Sequence, residues 1–178
     1  METPTIELRN LKVQDYKELK VSMIKSYSGM PDDYWSAAEI KTLVKKFPDG
    51  QFCIVIDNKI AGCALSIIVD YDEFDDNHTY DDIIGGENFS THTKNGDVLY
   101  GIDVFIHPEY RGKRLGRRLY EARKELCEQL NLKSIIFGGR IPNFAKYANE
   151  LTPKKYIDKV KLQEIHDPVL SFQLSNDF

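Results

Sequence analysis

The stretch Ile106-His107-Pro108-Glu109-Tyr110-Arg111-Gly112-Lys113-Arg114-Leu115-Gly116-Arg117-Arg118-Leu119 decides how this chain folds. It starts at the end of an alternating run, Val98, Tyr100, Ile102, Val104 and Ile106, which reads as one face of a strand. It ends in Leu115, Leu119, Ala122, Leu126 and Leu130, which mark one face of a helix closing near Asn131. The turn between them holds Gly112 and Gly116 and five cations within eight residues, Arg111, Lys113, Arg114, Arg117 and Arg118. A helix start leaves backbone N–H groups without partners and carries partial positive charge, so it is a ready anion site. Cations at that end are disfavoured by about 0.3–1 kcal/mol each, a cost that a bound anion offsets. Without an anion the same residues read as a solvated basic turn paired with acidic residues elsewhere.

Upstream of this turn, Ile6 to Arg9 reads as a short strand, and Tyr16, Leu19, Met23 and Ile24 recur at helical spacing from about Asp15 to Tyr27. Ser36 stands three residues before Glu39 and opens a stretch with Ile40, Leu43, Val44 and Phe47, the reciprocal cap of a second helix that Pro48 and Gly50 stop. Phe52 to Ile56 and Ile60 to Val69 are β-rich runs joined by Asp57-Asn58-Lys59, a hairpin composition. From Asp70 to Asp97 the chain turns polar and acidic around Tyr71, Phe74, His78 and Tyr80, without clear periodicity. So long a segment inside a compact domain is usually functional or disordered. Downstream, Ser134 to Phe137 reads as a strand, and short helices are expected near Phe144 to Asn149, Pro153 to Val160 and Pro168 to Leu174. This order, β-α-α-β-β-loop-β-α-β and then helical segments, predicts an α/β chain with helices packed on a mixed sheet.

At 178 residues the chain is expected to form a single domain, 1–178, burying roughly 70% of the surface its unfolded form would expose. Its 42% hydrophobic and 29% charged residues are those of an ordinary globular protein. A net charge of −4, with no interleaving of aromatic and basic residues, argues against a nucleic-acid partner. Cys53, Cys63 and Cys127 form no C-x-x-C pair, which fits buried thiols in a reducing cytoplasm. No apolar run approaches the ~20 residues of a membrane helix, and the N-terminus lacks the charged-then-apolar secretion pattern, so a soluble cytoplasmic protein is expected. His78, His92, His107 and His166 show no metal-like spacing, and no metal is expected.

The turn resembles the pyrophosphate loop of the GNAT superfamily of N-acetyltransferases, an apolar strand followed by a Pro-x-Tyr-Arg-Gly string and a glycine-spaced helix start; Ile106, Pro108, Tyr110, Arg111, Gly112, Leu115 and Gly116 match it. Arg114 departs from it, standing where the family usually has Gly. The resemblance implies a mixed, mainly antiparallel central sheet flanked by helices on both faces, and transfer of the acetyl group of acetyl-CoA to an amine. It implies a donor site built from the backbone of Val104, Phe105 and Ile106 and from Arg111, Gly112, Lys113, Arg114, Leu115, Gly116 and Arg117, with Asn143 as a further contact. Asp103, the carboxylate within the strand, would act as general base and Tyr147 as the acid that protonates the leaving thiolate. Two plainer roles stand beside these: Asp103 as a structural acceptor tying down a neighbouring loop, and Tyr147 as a packing residue.

A narrower resemblance rests on the string from Gly96-Asp97-Val98-Leu99-Tyr100-Gly101-Ile102-Asp103-Val104-Phe105-Ile106 through His107-Pro108-Glu109-Tyr110-Arg111-Gly112, on Gly138-Gly139-Arg140-Ile141-Pro142-Asn143 and on the ending Leu170 to Phe178. It is similar to the acetyltransferase-like domain that precedes a nitrilase-type carbon-nitrogen hydrolase domain in some bacterial proteins. That likeness implies a covalently linked hydrolase domain as partner, and opens the alternative of a non-catalytic acyl-CoA sensor; a second copy of the chain is the other partner expected. Asn176-Asp177-Phe178 stands where the family has a Gly-Phe pair leading into a last strand, so that strand is expected to be missing or supplied from elsewhere. If the acidic segment rims the acceptor site, it favours a cationic small molecule or a lysine-type amine, with His78 as the histidine placed to face it.

Overall fold

The residues Asp57 and Asn58 both adopt positive φ, 48° and 64°, and make the tight turn between β2 (Phe52–Ile56) and β3 (Lys59–Val69). Two left-handed residues in succession match the twist of an antiparallel pair, which is why Asx residues stand there. The computed structural model describes residues 5–28, 34–75 and 77–178. It divides into two compact units, residues 1–137 and 138–178.

In the first unit the hairpin sits at the centre of a five-stranded sheet of order β1-β2-β3-β4-β5, with β1 at Ile6–Asn10, β4 at Val98–Ile106 and β5 at Ser134–Phe137. The first four strands pair antiparallel, and β5 runs parallel to β4. Helix α1 (Tyr16–Ser26) and helix α2 (Ala37–Lys46) cover one face. Their Leu19, Met23, Ile40 and Leu43 pack with Cys63, Leu65, Ile67, Tyr100, Ile102 and Phe105. The start of α2 is the expected reciprocal cap: Glu39 N donates to Ser36 Oγ at 3.2 Å, and Ser36 N donates to Glu39 Oε2 at 2.7 Å. Helix α4 (Leu115–Gln129) covers the other face, where Leu115 and Leu119 meet Ile54, Ile56, Ala61, Ala64, Val104 and Ile106.

In the first unit two sequence readings need correction. Val98, Tyr100 and Ile102 pack on the α1 side, but Val104 and Ile106 pack on the α4 side, so the five do not share one face. The reason is a bulge: Leu65 pairs with Asp103 and Ser66 with Gly101, which leaves Ile102 as the extra residue. Because side chains alternate, one inserted residue moves everything after it to the opposite face. The acidic segment, read as aperiodic, contains a 3-10 turn at Tyr71–Glu73 and helix α3 at Tyr80–Ile84, capped by Thr79 and ended by Gly85 in the left-handed region. Its Ile83, Ile84 and Phe89 enter the core, in pieces too short to display a period.

The second unit holds α5 (Pro153–Lys161) and α6 (Leu170–Leu174). Where a helix was expected from Phe144 to Asn149, only a 3-10 turn at Phe144–Lys146 forms. Among the described residues no helix is long and apolar enough to cross a membrane.

Candidate functional site

The basic turn leaves β4 through a short 3-10 turn, Pro108–Tyr110, capped by His107 Nδ1, which accepts from Glu109 N at 3.2 Å. Gly112 follows with φ 78° and Arg114 with φ 58°, and α4 begins at the next residue. A Cβ on Gly112 would meet nothing within 4 Å, so the backbone angle, not space, calls for glycine there. Arg114 takes the left-handed conformation with a side chain, which costs about 1–2 kcal/mol. The backbone N–H groups from Gly112 to Arg117 find no acceptor among the described residues, and the first helical bond is Arg118 N to Arg114 O. This is a run of donors at a positive helix end, the arrangement that receives a phosphate. The cations around it are exposed. Arg111 Nε donates to Ile106 O at 3.2 Å, Arg117 pairs with Glu121 at 2.9 Å, and Lys113 Nζ lies 5.3 Å from the centre of the Tyr110 ring.

Among the described residues, the strand feeding this turn has an open edge. Pairing of β4 with β5 ends at Gly101 and Phe137, while β4 runs on to Ile106. His107 N donates to Ala61 O at 2.9 Å, so ladder alternation turns the polar backbone of Phe105 and Asp103 toward β3 and that of Val104 and Ile106 toward the unpaired edge. Of the three residues expected to offer backbone contacts, Val104 and Ile106 therefore present theirs on the open side.

The bulge brings Asp103 onto the α1 side. Its Oδ2 accepts from Tyr27 Oη at 2.5 Å and from Trp35 Nε1 at 3.0 Å, while no described residue donates to Oδ1. The two carbonyls of the bulge are also taken by side chains: Tyr80 Oη donates to Ile102 O at 3.1 Å, and Arg123 Nη2 to Asp103 O at 2.5 Å. Tyr27, Trp35, Tyr80 and Arg123 escaped the sequence reading. For Arg123 a signal existed: it stands four residues after Leu119 on the apolar stripe of its helix, where a cation is out of place.

Asn143 and Tyr147 lie in the second unit. The Asn143 side chain donates to His166 O at 3.2 Å and its N–H to Asp167 Oδ2 at 3.1 Å, while the Tyr147 ring packs on Tyr156 at 5.5 Å. Asp167 is fully buried and accepts from Tyr156 Oη at 2.7 Å and from the N–H groups of Val169 and Leu170. Burial pushes this carboxyl up, but those hydrogen bonds outweigh it and hold it below its ordinary value. Burial and the Asp167 contact push the Tyr156 phenol up to about 12.

His78 is half-buried in the acidic segment, its Nδ1 2.6 Å from Asp75 O and its ring edge-on to Tyr71 and Phe74. Asp70, Asp72 and Asp97 bring carboxylate oxygens within 4.8 Å of one another, and Lys133 Nζ lies 2.6 Å from Asp97, supplying counter-charge. The thiols of Cys53, Cys63 and Cys127 are buried, and burial raises all three.

The family model described as "Acetyltransferase (GNAT) family" matches residues 14–148. Over 171 residues the chain is 43% identical to "Probable hydrolase YhcX" of Bacillus subtilis (strain 168), which covers 96% of this chain and 33% of that protein. Over 140 residues it is 32% identical to "Uncharacterized N-acetyltransferase YkwB" of the same organism, covering 79% of this chain and 62% of that protein. The chain thus spans about a third of the first relative and under two thirds of the second. Among solved structures, the loading GNATL domain of CurA from Lyngbya majuscula is similar, with a TM-score of 0.72 and 26% identity over 86% of this chain and 73% of that one.

Proposed function

From the premise that the chain belongs to the GNAT acetyltransferase family, we propose that it moves the acetyl group of acetyl-CoA to a cationic amine. The observation that carries this reading is the run of N–H groups from Gly112 to Arg117, without acceptors among the described residues, beside the edge of β4 that no described strand pairs. Gly112 to Arg117 receive the pyrophosphate, whose charge offsets the repulsion between the helix end and its cations. Val104 and Ile106 hold the pantetheine arm as a sheet edge holds an added strand. The Val104 N–H then faces the thioester carbonyl, where it stabilises the negative oxygen that develops during attack.

Asp103 serves as base in this scheme. Tyr27 and Trp35 fix Oδ2, and Oδ1 takes the proton of the amine, directly or through a water. The free amine nitrogen bonds to the carbonyl carbon, the carbon–sulfur bond breaks, the nitrogen gives up its extra proton to solvent, and CoA leaves as the thiolate, which takes a proton from solvent. The cationic preference rests on the acidic segment: Tyr80, bonded to the bulge, is followed directly by exposed Asp81 and Asp82. Thiol release from acetyl-CoA, measured across a panel of amines of opposite charge, tests the reading. Turnover with polyamines or lysine-type amines and none with acidic amines is expected; equal turnover of both would remove the cationic acceptor.

A second reading is favoured by the relative YhcX, a named hydrolase of which this chain matches a third. Under it the chain is an acyl-CoA-binding module of a larger protein, and binds acetyl-CoA without releasing thiol to any amine.

A further inference from the structure

Arg123 is 1% exposed and pairs with no carboxylate among the described residues. A buried cation is costly unless its donors are well used. Here Nε donates to Ser66 Oγ at 3.0 Å, and Nη2 donates to Leu65 O at 2.6 Å and to Asp103 O at 2.5 Å. All three acceptors lie at the point where the pairing of β3 and β4 shifts by one residue. Gly101 makes the room: a Cβ there would stand 3.0 Å from Arg123 Nη1 and 3.2 Å from its Cζ.

The carbonyl of Asp103 and the N–H of Val104 belong to one peptide unit, and in a trans peptide they point in opposite directions. Arg123 holds the carbonyl end, and the N–H end faces the open edge of β4. A charged donor on a peptide oxygen draws electron density from the nitrogen and strengthens that peptide's own N–H as a donor. We infer that Arg123 is a positioning residue that, from the far side of the strand, fixes and polarises the Asp103–Val104 peptide so that its N–H binds the carbonyl of the transferred acyl group. This rests on the acyl-donor reading of the β4 edge and adds to it a residue that never touches the donor. The bulge is then a device for aiming one N–H, with Gly101 and Arg123 as its two fixed parts.

The test uses acetyl-CoA labelled with 13C at the acetyl carbonyl, bound to the parent and to the variants Arg123→Met, Arg123→Lys and Gly101→Ala. On the parent the thioester carbonyl stretch should move to lower frequency than in free acetyl-CoA. On Arg123→Met the shift should be lost while affinity for CoA itself is kept, and Arg123→Lys, which keeps the charge but not the fork, should restore part of it. Gly101→Ala, which displaces the guanidinium without removing it, should reduce the shift even if Arg123→Met does not fold. Where an acceptor amine supports turnover, kcat should fall by less than the roughly 10²–10³-fold of losing an oxyanion donor outright, with KM for acetyl-CoA unchanged. Folded variants that bind acetyl-CoA and show the parent's carbonyl shift would overturn the inference. A parent that does not bind acetyl-CoA would instead overturn the donor reading on which it rests.

Discussion

At the scale of single residues, the proposed chemistry turns on which oxygen of a carboxylate is already spoken for. Asp103 receives Tyr27 and Trp35 on Oδ2, and among the described residues none donates to Oδ1, so one side chain can anchor its neighbours and still offer an oxygen. Replacing it with Asn retains an oxygen for both donors and removes the capacity to take a proton. Asp103→Asn should therefore fold, bind acetyl-CoA like the parent and lose about 10²–10⁴-fold in kcat, the usual worth of a general base, as read by thiol release. Unchanged turnover would leave Asp103 with the anchoring role only. Arg114 is the other residue at which a local rule is broken, since it sits at φ 58° where glycine is at ease. Arg114→Gly should raise stability by about 1 kcal/mol, the left-handed strain less the entropy glycine costs, seen as a higher denaturant midpoint at constant slope.

At the scale of elements, the second unit depends on one buried carboxylate to tie its turn and helices together. Asp167 gathers Asn143 N, Tyr156 Oη and the first N–H groups around α6. Its folded pKa lies below the ordinary 3.8, so the stability it contributes is present above 3.8 and is lost as pH falls through the folded value. Urea midpoints taken at neutral pH and at a pH below 3.8 should fall steeply for the parent and less for Asp167→Asn, which starts lower but has no carboxyl there to protonate. Elements with local signals were legible from sequence: the Asp57-Asn58 turn, the Ser36 and Glu39 cap, and the basic turn entering α4 all carry their chemistry in adjacent residues. The bulge at Ile102 was not legible, because an apolar alternation stays regular in sequence when one residue drops out of the pairing. Nor were the partners of Asp103, since Tyr27 lies 76 residues away and Trp35 lies 68, and no local pattern joins them. Arg123 was visible only as a misplaced charge on an apolar stripe, and its meaning needed the strand beneath it.

At the scale of the whole molecule, a five-stranded sheet with helices on both faces presents one strand that outruns its parallel neighbour and enters a donor-rich turn. The open edge and the turn follow one another in the chain, so a long anionic thioester can be held by both. The net charge of −4 is concentrated away from that turn, and the acidic segment meets the sheet at the bulge through Tyr80. On the proposed reading the turn takes the anionic donor, and the acidic segment gives the preference for a cationic amine. The most direct test is a calorimetric titration of acetyl-CoA into the parent and into the double variant Arg111→Glu with Arg117→Glu. Saturable, salt-sensitive binding to the parent and none to the double variant is expected when both are folded; a folded parent that does not bind acetyl-CoA would contradict donor binding at this turn.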